Sequence, residues 1–327
     1  MLPMSRRVAQ REPDAIALLL NGCAGRGPEL AINGQGRSAG AAVELAKWLR
    51  TNRTITKLNV WSNRFLNEGA CAIATALTLN STLRELNLSW NNIGYEGACA
   101  LATALTQNST IQVLILDSNQ ISELGAIAFA AALTKNRTLK TLDLCTNRIY
   151  SEGACALAAA LLENRTLTEL NLNVNFSNDD GVCAFAGSLK SCALEVLKIS
   201  DNCFGIEGMS ALAAVLLLNT TLKTLDLFMN ELGDKEACIL ADVLPMNHTL
   251  QELDLSYNQI GDEGACALAD ALEQNRTLKT ALFTSDQLDE RLLFLAATSP
   301  TPLLDPLDVD DLDPFDTGTS TWQSDNF

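Results

Sequence analysis

Asparagine recurs through this chain at a fixed step. It falls at Asn63, Asn91, Asn119, Asn147 and Asn175, each 28 residues after the last, slips to 27 at Asn202, and returns to 28 at Asn230 and Asn258. The surrounding text recurs with it. Leu86-Asn87-Leu88-Ser89-Trp90-Asn91-Asn92-Ile93 reappears as Leu142-Asp143-Leu144-Cys145-Thr146-Asn147-Arg148-Ile149 and as Leu253-Asp254-Leu255-Ser256-Tyr257-Asn258-Gln259-Ile260. A period in the range of about 20–50 residues marks a stack of repeats, because one such unit cannot bury its apolar face alone. A solenoid grows by stacking, so the 327 residues do not count globular domains in the usual way.

The clear repeats start at Ile55, Leu83, Ile111, Leu139, Leu167, Leu194, Leu222 and Leu250, eight in all, over residues 55–277. Each has one anatomy. In the second, Leu86 and Leu88 alternate with Asn87 and Ser89, which predicts a strand buried on one face. Asn91 ends it; its amide can pair with turn backbone, and stacked copies predict a buried ladder. Glu96 opens a helix at the end its dipole favours. Ala98, Leu101, Ala102 and Leu105 give that helix one apolar face, and Asn108 is expected to close it as a left-handed cap.

The ends decay. Residues 1–28 read as an N-terminal cap with a short helix over 14–20, and residues 29–54 as a degenerate repeat. A ninth, worn unit runs from Leu278 with Phe283, Asp286 and Leu288 in repeat positions, followed by a helix over 289–298. The repeat domain is therefore 29–298. Residues 299–327 lose all helical period, carry seven aspartates and no Lys or Arg, and read as an acidic disordered tail.

Net charge is −16, which disfavours nucleic acid as a partner and favours proteins with basic surfaces. No uncharged apolar stretch reaches membrane length, so membrane insertion is not expected. The start has no secretory pattern, which with reduced thiols points to the cytoplasm. Six cysteines, Cys71, Cys99, Cys155, Cys183, Cys238 and Cys266, share one repeat position. Stacked helices lie about 8–10 Å apart, too far for a disulfide, so these cysteines are expected as small buried residues at the helix seam. No Cys-x-x-Cys pair occurs and His248 is the single histidine, so neither a metal site nor histidine-based catalysis is expected. No cofactor is expected either.

The pattern Leu-x-x-Leu-x-Leu-x-x-Asn-x-Leu/Ile, followed by Glu-Gly-Ala-Cys-Ala-Leu-Ala-x-Ala-Leu, resembles the ribonuclease-inhibitor type of leucine-rich repeat. The Asn-x-Thr-Leu between repeats is most similar to the repeat arrays of NOD-like receptors. The resemblance covers roughly residues 29–290 and implies an α/β solenoid, a right-handed horseshoe with parallel strands on the concave side and helices on the convex side. Family members bind proteins through the concave face and rims. The Gly-x-x-x-x-Gly-Lys-Ser/Thr loop of the full receptors does not occur, so their switching mechanism does not transfer.

A non-enzymatic protein-binding scaffold or regulator is the function that follows. Strand positions between the leucines must face solvent or a partner. Trp61, Glu85, Trp90, Asp117, Asp143, Glu169, Asp201, Asp226, Phe228, Met229, Glu252, Asp254 and Tyr257 are the candidate contacts. Trp61 and Trp90 at one end, and Phe228, Met229 and Tyr257 at the other, predict two apolar anchors beside an acidic floor. Two alternatives share the repeats: a GTPase-activating protein of the Ran type, for which no catalytic arginine is matched, and a truncated or diverged NOD-like immune receptor.

Three smaller signals remain. The Asn-x-Ser/Thr triplets come with the period and read as helix caps rather than glycosylation sites. The fifth repeat is one residue short at Cys192-Ala193, which predicts a local change of curvature, and its Asn178-Asp179-Asp180 run lacks the spacing of a calcium loop. In the tail, Asp313-Pro314-Phe315 looks like the short motif that endocytic adaptor appendages recognise.

Overall fold

The structure, a computed structural model, describes residues 27–284. The N-terminal cap helix, the terminal helix over 289–298, the tail and its Asp313-Pro314-Phe315 motif lie outside the described residues. Strands and helices alternate throughout: β1 Glu29–Ala31, α1 Ala39–Thr51, β2 Lys57–Asn59, α2 Leu66–Leu77, β3 Glu85–Asn87, α3 Tyr95–Leu105, β4 Val113–Ile115, α4 Ser122–Leu133, β5 Thr141–Asp143 and α5 Tyr150–Leu161. The series continues with β6 Glu169–Asn171, α6 Asn178–Leu189, β7 Val196–Lys198, α7 Ile206–Leu216, β8 Thr224–Asp226, α8 Asp234–Val243, β9 Glu252–Asp254, α9 Asp262–Gln274 and β10 Thr280–Leu282.

The ten strands form one parallel sheet in strict chain order. Register places leucine on leucine: Leu58 beside Leu86, Leu86 beside Leu114, Leu114 beside Leu142, and so on to Leu253. Each strand is three residues long because each repeat offers one inward leucine between two outward residues. The helices stack against one another on the buried side of the sheet. This is the α/β leucine-rich-repeat solenoid expected. Strands are about 4.8 Å apart and stacked helices about 8–10 Å, so the array bends with its strands inside. The bend is visible in one contact: Asn173 Nδ2, just past β6, donates to Asp226 Oδ2 of β8 at 3.2 Å, skipping a strand.

The asparagine rhythm is a buried ladder of hydrogen bonds. Asn119 Nδ2 donates to Leu88 O of the previous repeat (3.1 Å) and to Leu116 O of its own (2.8 Å). Its Oδ1 accepts from Asn91 N (3.1 Å) and Ile93 N (2.9 Å). Asn147, Asn175, Asn202, Asn230 and Asn258 repeat the reach to the preceding repeat. Every rung therefore satisfies loop groups that no strand or helix could reach.

The Asn-x-Thr asparagines build a second ladder, and here the expectation of a left-handed cap fails. Asn52 and Asn275 have extended backbone, and none of these asparagines has positive φ. Asn136 Oδ1 instead accepts from Thr138 N (2.9 Å) and Leu139 N (2.8 Å), turning the chain into the next strand. Its Nδ2 donates to Leu105 O (2.8 Å) at the end of the preceding helix. The asparagine caps its neighbour's helix, not its own.

The cysteines also depart from expectation. Cys71 and Cys183 are exposed, and Cys99, Cys155, Cys238 and Cys266 are half-buried. The buried face of α2 is Gly69, Ala70, Ile73, Ala74, Ala76 and Leu77; Cys71 lies one residue, about 100° of helix, beyond it. The seam is glycine on alanine. A Cβ on Gly153 would stand 2.9 Å from Ala126 Cβ and 2.6 Å from Ile149 Cγ2. Adding one overpacks the stack.

The short fifth repeat leaves the sheet register intact: Glu169 pairs with Val196 and Val196 with Thr224. The missing residue is absorbed in the turn before β7, where buried Cys192 takes the asparagine slot. Asp179 Oδ1 accepts from Gly205 N (3.0 Å) and Gly208 N (2.6 Å), so it caps the next helix. Asp234 does the same for Gly261 and Gly264.

The ladder should dominate stability. Asn147→Ala leaves buried Ile121 N without its acceptor and removes one of the two amide donors to Leu116 O, which keeps Asn119 Nδ2. At about 1–3 kcal/mol per orphaned group, the loss should be about 1–3 kcal/mol in urea unfolding. Glu163→Gln, on the convex surface, should shift the midpoint little.

Candidate protein-binding face

The repeat lays three side-chain columns along the inside of the bend. The first residue of each strand gives Glu85, Thr141, Glu169 and Glu252; the third gives Asn87, Ile115, Asp143, Asn171, Asp226 and Asp254. Beyond the strand comes a residue with positive φ in nearly every repeat: Trp90, Ser118, Thr146, Val174, Asp201, Met229 and Tyr257. That left-handed turn aims these side chains along the rim.

The column at the third strand position does structural work first. Asp143 Oδ1 accepts from Cys145 N (2.9 Å), Asp226 Oδ1 from Phe228 N (3.1 Å) and Asp254 Oδ1 from Ser256 N (2.9 Å). Asn87 and Asn171 make the same turn through Ser89 N and Asn173 N. An Asx side chain folds back on the amide two residues ahead and ends the strand. Lys198 cannot accept, and at that repeat Asn173 Oδ1 takes Ser200 N instead (2.8 Å).

These columns enclose a hollow of about 850 Å³ reaching from β3 to β9. It contains Trp90, Asp117, Asp143, Asp201, Asp226, Phe228, Met229 and Asp254 of the expected contacts. Ile115, Cys145, Asn171, Asn173, Val174 and Ser200 also line it. Trp90 and the Phe228–Met229 pair therefore face one concavity, not two separate anchor sites. Val174, Ser118 and Thr146 were not expected; they hold the rim position already marked by Trp90 and Met229, and that shared position was the available signal.

The other expected residues sit outside it. Tyr257 packs on Phe228 with ring centroids 5.0 Å apart. Trp61 stands by β1, where its indole N–H donates to the Asn33 side-chain oxygen at 3.1 Å. Glu85 belongs to an ion-pair string in which Lys57 Nζ lies 3.2 Å from Glu85 and 3.4 Å from Glu29. Glu169 and Glu252 accept from Thr141 Oγ1 (3.2 Å) and Thr224 Oγ1 (2.8 Å). Ser89 and Ser200 line the hollow with little exposed surface, and Ser256, outside it, is buried.

Electrostatics of the hollow are one-sided. Burial pushes Asp117, Asp143, Asp201 and Asp254 above the ordinary carboxylate value, with like charge adding from Asp117 at Asp143, Glu231 at Asp201 and Asp226 at Asp254. Lys198 opposes the shift at Asp143. Burial drives the Cys145 thiol up to about 12, with Asp117 and Asp143 adding to the rise, so it stays protonated and is a poor nucleophile. Among the described residues, no group of three or more His, Cys, Asp or Glu could hold a metal ion. Nor is any helix there long and apolar enough to cross a membrane.

Asp254 gives a sign test. Its folded carboxyl titrates above the ordinary 3.8, so ionising it costs stability as pH rises through that raised value. Asp254→Asn keeps the acceptor for Ser256 N and removes the charge. The variant should unfold at higher urea than the parent at pH 7, with the gain vanishing below roughly pH 4, read from urea midpoints across pH.

The family-model comparison agrees with the fold. A family model described as leucine rich repeat matches residues 79–102, 107–130, 135–158, 190–213, 218–235 and 247–269. Among solved structures, the actin-binding site 2 of leiomodin-1 is similar at 21% identity and TM-score 0.36, covering 55% of this chain and 86% of that one. A chain of the yeast Rad7 and Elc1 complex is similar at 13% identity and TM-score 0.47, covering 94% and 95%. Comparison with curated proteins gives no match.

Proposed function

We propose that this leucine-rich-repeat chain is a non-enzymatic scaffold or regulator that binds a protein through the concave face of its array. The observation that carries the reading is the hollow between β3 and β9, where Trp90, Phe228 and Met229 stand beside five carboxylates. Exposed aromatics next to unpaired charge are what a partner would cover, and aromatic anchors supply most of the energy in such contacts. The acid excess favours a partner with a basic surface and fast encounter with it. Leucine-rich-repeat arrays in general bind proteins. The Asn-x-Thr-Leu junctions keep a NOD-like receptor relationship open as an origin for the array, not as a mechanism.

Affinity capture with the parent chain beside Trp90→Ala/Phe228→Ala tests the face. Both side chains are half-exposed, so the variant should fold and lose most of the specific partners. Truncating two central aromatics should weaken binding by about 3 kcal/mol or more. Recovery of the same partners in equal amount by both would sink the proposal.

A further inference from the structure

The hollow carries charges of one sign in two places. Asp117 lies two residues past β4 and Asp143 ends β5, with Trp90 and Ile115 beside them. Asp226 and Asp254 end β8 and β9, and Asp201 lies three residues past β7, with Phe228 and Met229 beside them. Between the two groups the lining is neutral: Asn171, Asn173 and Val174. Among the described residues, no Lys, Arg or His lines the hollow; Lys198 stands near Asp143 and Glu231 near Asp201.

Each group joins a carboxylate to an apolar or aromatic wall. A guanidinium suits both, since it is planar, stacks on aromatic faces and bridges carboxylate oxygens; an ammonium satisfies only the charge. The groups are three strands apart, about 14 Å at about 4.8 Å per strand, or about four residues of extended chain. Resting on the concave-face reading, we infer that the hollow takes two arginine side chains, about four residues apart on one extended segment of a partner protein. One sits at Asp117 and Asp143 beside Trp90, the other at Asp201 and Asp226 beside Phe228. The existing contacts prepare these acids. Ser200 Oγ and Asn173 Nδ2 donate to Asp226, Asn171 Nδ2 donates to Asp143 and Ser118 Oγ donates to Asp117. The carboxylates are thereby oriented before any partner arrives.

A fluorescent Gly/Ser peptide with arginines at i and i+4 tests the inference by titration against the whole chain. Replacing both arginines by citrulline keeps the shape and removes the charge. The arginine peptide should bind at least about tenfold tighter than the citrulline peptide, and tighter than a version with arginines at i and i+2. Asp117→Asn/Asp201→Asn should erase that margin. Glu163→Gln/Glu207→Gln changes net charge equally on the outer side and should leave affinity within about twofold. The inference is overturned by absent binding at roughly 1 mM, by equal binding of the citrulline peptide, or by equal effects of the two variant pairs. If captured partners still require Trp90 and Phe228 while the peptide fails, the concave face stands and the arginine pair falls.

Discussion

A side-chain amide holds this molecule in register. Each ladder asparagine reaches back one repeat with its nitrogen and accepts from the preceding repeat's loop with its oxygen, as Asn119 does with Leu88 O, Asn91 N and Ile93 N. Few other side chains offer a donor and an acceptor at one point without charge. In a buried loop that combination replaces the water that would otherwise be needed. The second ladder, through Asn80, Asn108, Asn136 and Asn164, also reaches back with its nitrogen, at the opposite edge, while its oxygen accepts from its own repeat, as Asn136 does from Thr138 N and Leu139 N. The two rows fix both ends of β2 to β6, β8 and β9, and the glycine–alanine seam fixes the helices.

That rigidity decides where sequence is free to vary. Leucines, ladder asparagines and seam residues are committed to the stack. The outward strand positions are partly committed too, because an Asx residue at the third position ends the strand. Asp143, Asp226 and Asp254 serve the turn and face the hollow together, whereas the amide of Asn87 or Asn171 makes the same turn without charge. The choice of aspartate over asparagine is what the fold does not require. At Asp143 and Asp254 it costs stability in a desolvated concavity, and an arriving cation would relieve that cost.

The period of the asparagines was enough to read the fold, the strand faces and the buried ladder. It was not enough for the cysteines, since one position on a helix is about 100° and Cys71 follows the buried Ala70. Nor could it show that Asn108 and Asn136 act on the preceding helix, because a local motif looks the same whether its bonds run within a repeat or between repeats. The single hollow was also hidden. Trp90 and Phe228 are 138 positions apart in the sequence, and only the bend that lets Asn173 touch Asp226 brings their repeats round one concavity. Curvature is a property of the stack, written in no single unit.

Amide hydrogen exchange tests the ladder most directly. The amides of Ile93, Ile121 and Leu232 lie in loops, outside strand and helix, and each donates to the ladder asparagine of the next repeat. If the ladder locks the array, these loop amides exchange as slowly as the amides within the strands, such as Leu86 in β3 and Leu114 in β4. Exchange at the rate of open loops, while the sheet amides remain protected, would contradict it.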